Sequence, residues 1–270
     1  MHEMLTRTSF AARFGNRAVF GMVHLRALPG APLFTSLDEV IDAALVDARA
    51  IVDGGCDGLV IENFGDKPFT RGRVEAETVA AMTRIVAEIA REVKLPLGVN
   101  VLRNDAQSAL AIAAATGAAF IRVNVHTGAM VTDQGIIEGD AYATMRKRAA
   151  LAPEVLVFAD HLVKHAAPLA SVDAIQSAKD LRLRGLADAL IVSGAETGAP
   201  ADASRLAALR AALPDTPLLL GSGLSADNAN AFDDADGAIV GTSIKTDGRV
   251  DAAVDRTRVE RVVRAFRRRA

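Results

Sequence analysis

Short apolar runs alternate with longer amphipathic stretches along the whole of this chain, and that alternation restricts the fold more than any single motif does. The short runs read as strands: VFGMVH (19–24), LVIEN (59–63), LGVNV (97–101), FIRVNV (120–125), VLVFAD (155–160), LIVS (190–193), PLLLGSG (217–223) and GAIVG (237–241). Between them lie helix candidates at 43–52, 74–93, 105–115, 173–186, 203–213 and 226–232, with a last one running from Val250 into the tail. In the segment 74–93, Val79, Met82, Val86 and Ile89 recur at helical spacing. Strand and helix in regular turn make βα units around a parallel sheet. Eight strands are the number a closed barrel needs, and 270 residues suit a fold that typically takes about 250. A doubly wound open sheet would usually place a glycine fingerprint after its first strand, where this chain has HLRALPGAP (24–32). No Pro/Ser-rich linker or shift in composition divides the chain into two domains. The expectation is an α/β protein, a single (β/α)8 TIM barrel over 1–270, with 1–17 as an N-terminal extension and 256–270 as a basic C-terminal helix.

A formal net charge of −2 gives no overall pull toward nucleic acid or anionic lipid. The single cysteine, Cys56, cannot form an internal disulfide, which fits a reducing cytosol, and its setting before a strand reads as a core thiol. No apolar run reaches the ~18–20 residues that span a bilayer, and the polar, mixed N-terminal stretch lacks the apolar centre of a secretory signal. A soluble, cytoplasmic homo-oligomer without nucleic-acid partners or stable membrane binding is expected.

In a barrel the chemistry sits at the C-terminal ends of the strands. There this sequence places His24, then Glu62 and Asn63, then Asn100 with Arg103, then Arg122, Asn124 and His126. Asp160 and His161 follow, with Lys164 one turn on, and then Ser193 with Gly194, Glu196 and Thr197. The opposite ends start with residues such as Val19, Leu97 and Val155. Polar groups buried without partners cost about 1–3 kcal/mol each, so a ring of them implies a cleft for a ligand. The last two loops are more specific. Gly221, Ser222 and Gly223 follow strand seven, and Gly241, Thr242 and Ser243 follow strand eight. Many barrels hold a substrate phosphate between these two loops, and Ser225 and Asp227 read as caps of a helix whose free N–H groups face the anion.

Glu62 and Asp160 are the carboxylates placed for acid/base work, with His24 and His161 as proton carriers; a salt bridge from Asp160 to Arg122 or Lys164 is the competing use. Asn63, Asn100, Arg103, Arg122, Asn124, Ser193 and Glu196 are the candidates for binding substrate. His24, Glu62, Asp160 and His161 are ligand types for Zn or Mn, so a divalent metal is compatible with the set, although no close-spaced motif such as HExxH occurs. No nucleotide-cofactor motif is present. The connection 124–149 exceeds an ordinary βα loop of ~2–6 residues and reads as a lid or a subunit contact, with Asp133, Glu138 and Asp140 as polar contacts. In the tail, Val259, Val262, Val263 and Phe266 recur at helical spacing among arginines, so one face should pack on the barrel.

Several blocks are specific: GMVHLRALPGAP (21–32), DGLVIENFGDKPF (57–69), LGVNVLRNDAQSALAIAAATGAAFIRVNVHTGA (97–129) and TDQGIIEGDA (132–141). With FADHLVKHA (158–166), VSGAETG (192–198) and GSGLS (221–225), they closely resemble the BtpA/SgcQ family from about Phe20 to Lys245. The resemblance implies a barrel of the ribulose-phosphate-binding type. It brings no established catalytic residues, and the family's labels point two ways: to photosystem I biogenesis, and to sugar or nucleoside enzymes. The polar ring and both phosphate loops favour the enzyme, an isomerase, lyase or glycosidic hydrolase taking a sugar phosphate or nucleoside-like substrate. The alternative is a non-catalytic factor for biogenesis of photosystem I or another membrane complex, using the barrel as a binding scaffold.

Overall fold

The computed structural model describes residues 4–194 and 202–268. Eight parallel strands close into a barrel: β1 (Ala18–His24), β2 (Gly58–Glu62), β3 (Leu97–Asn100), β4 (Phe120–Val123), β7 (Leu156–His161), β9 (Ala189–Val192), β10 (Leu218–Leu220) and β11 (Gly237–Val240), with β11 hydrogen-bonded back to β1. Three further strands, β5 (Ala129–Thr132), β6 (Gly135–Glu138) and β8 (Ala166–Pro168), form a separate antiparallel sheet. Outside the barrel run α2 (Leu37–Asp53), α3 (Ala76–Glu92), α4 (Ala106–Thr116), α5 (Ala141–Leu151), α6 (Ala174–Lys179), α7 (Ala203–Ala212) and α8 (Arg256–Arg267). The fold is a (β/α)8 barrel.

Helix starts follow from sequence. Ser36, Asp105, Asp140, Asp173, Asp202 and Asp255 each accept a hydrogen bond from a backbone N–H of the first turn they precede. The strands are buried on both faces, and the two-residue period divides their side chains between two cores. Val19, Ile61, Ile121, Val157, Leu190 and Val240 point outward under the helices. Phe20, Val60, Phe120, Phe158, Ile191, Leu219 and Ile239 fill the barrel itself.

The floor of that interior is closed by α1 (Arg7–Phe14) within the N-terminal extension. Its Phe10 and Phe14 are buried among Phe20, Phe120 and Phe158; the Phe14 and Phe20 ring centroids are 5.4 Å apart, and Phe120 stacks on Phe158 at 4.4 Å. Arg7 Nε donates to Asp236 at 2.7 Å, which fixes the helix to the lower rim. The barrel is therefore plugged at the N-terminal ends of its strands and open at the other.

Three expectations change. The segment 226–232 is no α-helix but a turn with one short 3-10 element, Ala229–Ala231, because the Asn228 amide accepts from Ser225 N–H at 2.8 Å and donates to Gly223 C=O at 2.7 Å, locking the loop. The candidate at 173–186 is α6 continued by a π-helical turn, Asp180–Arg184. The long connection 124–149 contains the β5–β6 hairpin, which pairs with β8 and packs Met130 and Ile137 on Val125 and Val163. The tail helix α8 buries Val259, Val262, Val263 and Phe266 against the barrel, as the spacing predicts. Among the described residues no helix is long and apolar enough to cross a membrane.

Candidate functional site

Strand register brings the upper ring together. His24, Glu62 and Asn100 are successive partners across β1, β2 and β3. Arg122 of β4 is aligned with Phe158 of β7, so Asp160 lies two residues further along the same inner face. The result is a bidentate pair: Arg122 Nε and Nη2 donate to Asp160 Oδ2 and Oδ1 at 3.0 and 2.9 Å. Asn124 Nδ2 donates to the same carboxylate at 2.8 Å, and the Ser193 hydroxyl lies 3.4 Å from it. Both charged side chains are almost wholly buried, at 2% and 0% exposure.

Above this pair opens a cavity of about 290 Å³, bordered by Met22, His24, Glu62, Phe64, Arg122 and Lys164 on one side. Opposite them stand Gly221, Ser222 and Gly223 from the loop after β10, and Gly241, Thr242 and Ser243 from the loop after β11. Close approach requires glycine at one of these positions and favours it at another. A Cβ on Gly221 would collide with the Ser193 hydroxyl and the Ile191 side chain, and one on Gly241 would sit 3.0 Å from His24 Cε1. A second lobe of about 430 Å³ shares Glu62, Phe64, Arg122 and Lys164 and adds Lys67, Arg103, Asn124 and Asp133. Asp133 comes from the hairpin turn, so the accessory sheet reaches the mouth.

Burial raises the pKa of the Glu62 carboxyl, against the pull of Arg122, Lys164 and Arg103. Its Oε1 lies 3.8 Å from His24 Nε2, beyond hydrogen-bond reach. Burial, then the charges of Lys245, Lys164 and Arg122, hold His24 well below the usual histidine range. Burial also lowers the Lys164 ammonium, with Arg122 adding to the effect while Glu62 and Asp160 oppose it. Burial works against the Arg122 charge, but Asp160 outweighs it and raises the guanidinium pKa.

Several of the expected site residues lie elsewhere, and the two-residue period explains most of them. Asn63 follows an inward-facing residue and points out of the mouth: its amide donates to Asp66 at 3.0 Å and accepts from Leu102 N–H at 2.7 Å. His161 follows inward-facing Asp160 and borders a small void of about 50 Å³ beneath the accessory sheet, where burial and then Arg205 lower its pKa to about 4. Asn100 donates to Arg122 C=O and Asn124 Oδ1, which makes it a support beneath the ring. The Ser193 hydroxyl supports Asp160, and its C=O accepts from Arg205. Asp160 itself is held in the ion pair, so it does not join Glu62 as a free acid/base partner. Glu196 and Thr197 lie outside the described residues. Among the described residues no group of three or more His, Cys, Asp or Glu side chains converges as a metal site. Phe64, Asn228 and Lys67 are lining residues that sequence reasoning did not select. Phe64 and Lys67 stand in the DGLVIENFGDKPF block, which was the available signal.

Residues 15–268 match the BtpA family. This chain belongs to the BtpA family. It is 45% identical over 250 residues to the photosystem I biogenesis protein BtpA of Synechocystis sp., covering 92% of this chain and 87% of the relative. It is also 46% identical over 252 residues to a Thermococcus kodakarensis protein (93% and 95% covered) and 35% identical over 248 residues to the sgc region protein SgcQ of Escherichia coli (90% and 91%). The Synechocystis relative overturns the expectation of an isomerase, lyase or hydrolase, because a BtpA-family chain this similar over nearly its whole length is named for biogenesis and not for a reaction. Among solved structures, dihydropteroate synthase of Yersinia pestis superposes with a TM-score of 0.57 at 15% identity, covering 94% of this chain and 92% of that one. N-(5'-phosphoribosyl)anthranilate isomerase of Pyrococcus furiosus gives 0.54 at 16%, covering 92% and 98%. At these identities the BtpA-family chain shares a barrel with them and nothing finer.

Proposed function

We propose that this BtpA-family chain is a non-catalytic factor for biogenesis of a membrane complex, photosystem I being the one its Synechocystis relative is named for, and that it uses the barrel as a binding scaffold. The observation that carries the reading is 45% identity across 92% of the chain to that relative. The mouth supplies what a scaffold would bind: an anionic, phosphorylated small molecule. Backbone and hydroxyl donors of the loops 221–223 and 241–243 face Arg122 and Lys164 across one cavity. Arg122 is already balanced by Asp160, whereas Lys164 forms no ion pair among the described residues and would gain one from a bound phosphate. The locking of Asp160 to Arg122 also favours binding over turnover, since it leaves Glu62 without a second free carboxylate.

Titration calorimetry with inorganic phosphate tests the binding half: Lys164→Met should weaken it about tenfold or more, while Glu62→Gln, which removes a repelling charge, should preserve or tighten it. For the biogenesis half, the chain is expressed in Synechocystis lacking its own relative, and photosystem I content is measured. Restoration by the native chain and by Glu62→Gln is expected. No restoration by either, or restoration that needs Glu62 while binding does not, overturns the reading.

A further inference from the structure

The loop after β1 and helix α2 enclose a second cavity of about 370 Å³ beside the mouth, and its wall differs in kind. Leu25, Leu33, Val40, Ala43, Ala44 and Val46 line it. Two charges within that wall are paired with each other: Lys245 Nζ bonds Asp47 Oδ2 at 2.5 Å, and Asp47 Oδ1 accepts from Val254 N–H at 2.7 Å. Two of the apolar residues are left facing solvent, Leu33 at 73% and Val46 at 52% exposure. Arg26 and Lys67 add positive charge to the same lining, while its one other carboxylate, Asp251, lies 3.7 Å from Arg249.

His24 and Phe64 border both this cavity and the polar mouth, with ring centroids 4.8 Å apart. The Lys67 ammonium lies 4.3 Å from the Phe64 ring centroid. One aromatic partition thus separates a polar compartment, walled by glycine loops, Arg122 and Lys164, from an apolar one. Binding pockets of this kind combine an apolar surface with a few placed polar groups. We infer that the ligand of this protein is amphipathic, a phosphate ester whose anionic end lies between the loops 221–223 and 241–243 and whose hydrocarbon or aromatic group passes His24 and Phe64 into the cavity along α2. The inference rests on the reading of the mouth as an anion site and adds the ligand's second half. Cationic Arg26 and Lys67 suit a ligand that is negative overall, and the small alanines among the valines and leucines of the wall leave room for a chain or flat ring.

Calorimetry with three probes separates the two claims: inorganic phosphate, ethyl phosphate and hexyl phosphate. Each buried methylene contributes roughly fourfold in affinity, so hexyl phosphate should bind at least about tenfold tighter than ethyl phosphate. Ala43→Leu, which fills the lateral cavity, and Leu33→Ser, which removes apolar surface at its rim, should abolish that gain and leave inorganic phosphate binding unchanged. Phosphate binding with no gain along the series, or a gain that both variants retain, overturns the amphipathic ligand while the anion site stands. Failure of all three probes to bind overturns both claims.

Discussion

Arg122 and Asp160 sit on neighbouring strands, Asp160 two residues beyond the partner of Arg122, and their pairing decides what the mouth can do. Removing one partner strands a buried charge, so Arg122→Leu alone should cost about 3–5 kcal/mol by urea unfolding. The double variant Arg122→Leu/Asp160→Leu should cost clearly less than the two single losses together, because no unpaired charge remains. Additive losses would mean the pair is not the local organiser. His161 gives a pH signature. Its folded pKa of about 4 lies below the ordinary 6.5, so the unfolded chain binds more protons between those values. The stability it contributes is complete above pH 6.5 and is lost as pH falls toward 4. Relative to His161→Gln, the native protein should lose about 3 kcal/mol across that window, on the order of the shift converted at 1.36 kcal/mol per unit. The types of residue in the mouth were legible in the sequence, since His24, Glu62 and Arg122 all end strands. Their orientation was only partly so. Counting twos from the interior phenylalanines Phe120 and Phe158 places Arg122 and Asp160 inward and His161 outward, but the β4–β7 register that joins Arg122 to Asp160 belongs to the folded sheet.

At the scale of elements, the alternation of apolar runs located all eight barrel strands, because buried parallel strands are apolar on both faces. It could not find α1, whose two buried phenylalanines stand in a polar stretch and whose purpose appears only once a barrel floor exists to be closed. Nor could it foresee the loop after β10, where one side-chain amide, that of Asn228, holds a turn in place of a helix. The hairpin over the mouth is separable in a specific way. Gly139 N–H donates to Gly128 C=O at 2.7 Å, so the chain enters and leaves the hairpin at one point. Excising 129–138 and joining Gly128 to Gly139 should leave the barrel's far-UV circular dichroism unchanged, while phosphate affinity is preserved or rises, since the Asp133 carboxylate leaves the mouth with the hairpin. A collapsed circular dichroism spectrum would show the small sheet to be part of the barrel's own stability.

For the molecule as a whole, the apolar face of α8 is spent on the barrel. Arg17 stacks on Phe266 with its guanidinium carbon 4.1 Å from the ring centroid, and Arg267 reaches Asp57 at 2.7 Å. That helix therefore has no free apolar side to lay into a bilayer. In flotation with anionic vesicles at physiological salt the protein should stay with the unbound fraction, and a rising band that disappears on removal of the last four residues would refute this. The floor plug has a consequence for the living cell. Translation runs from the amino end, so α1 leaves the ribosome before any strand it will rest on. Its partners include Gly237, which a Cβ would bring to 3.3 Å of Phe10, and Asp236, both near the far end of the chain. Arg17, just after the plug, hands its Nε–H to the carbonyl of Phe266. The nascent protein can complete its floor only when synthesis is nearly done, and a ribosome stalled before the last strand releases a sheet that has nothing to close upon.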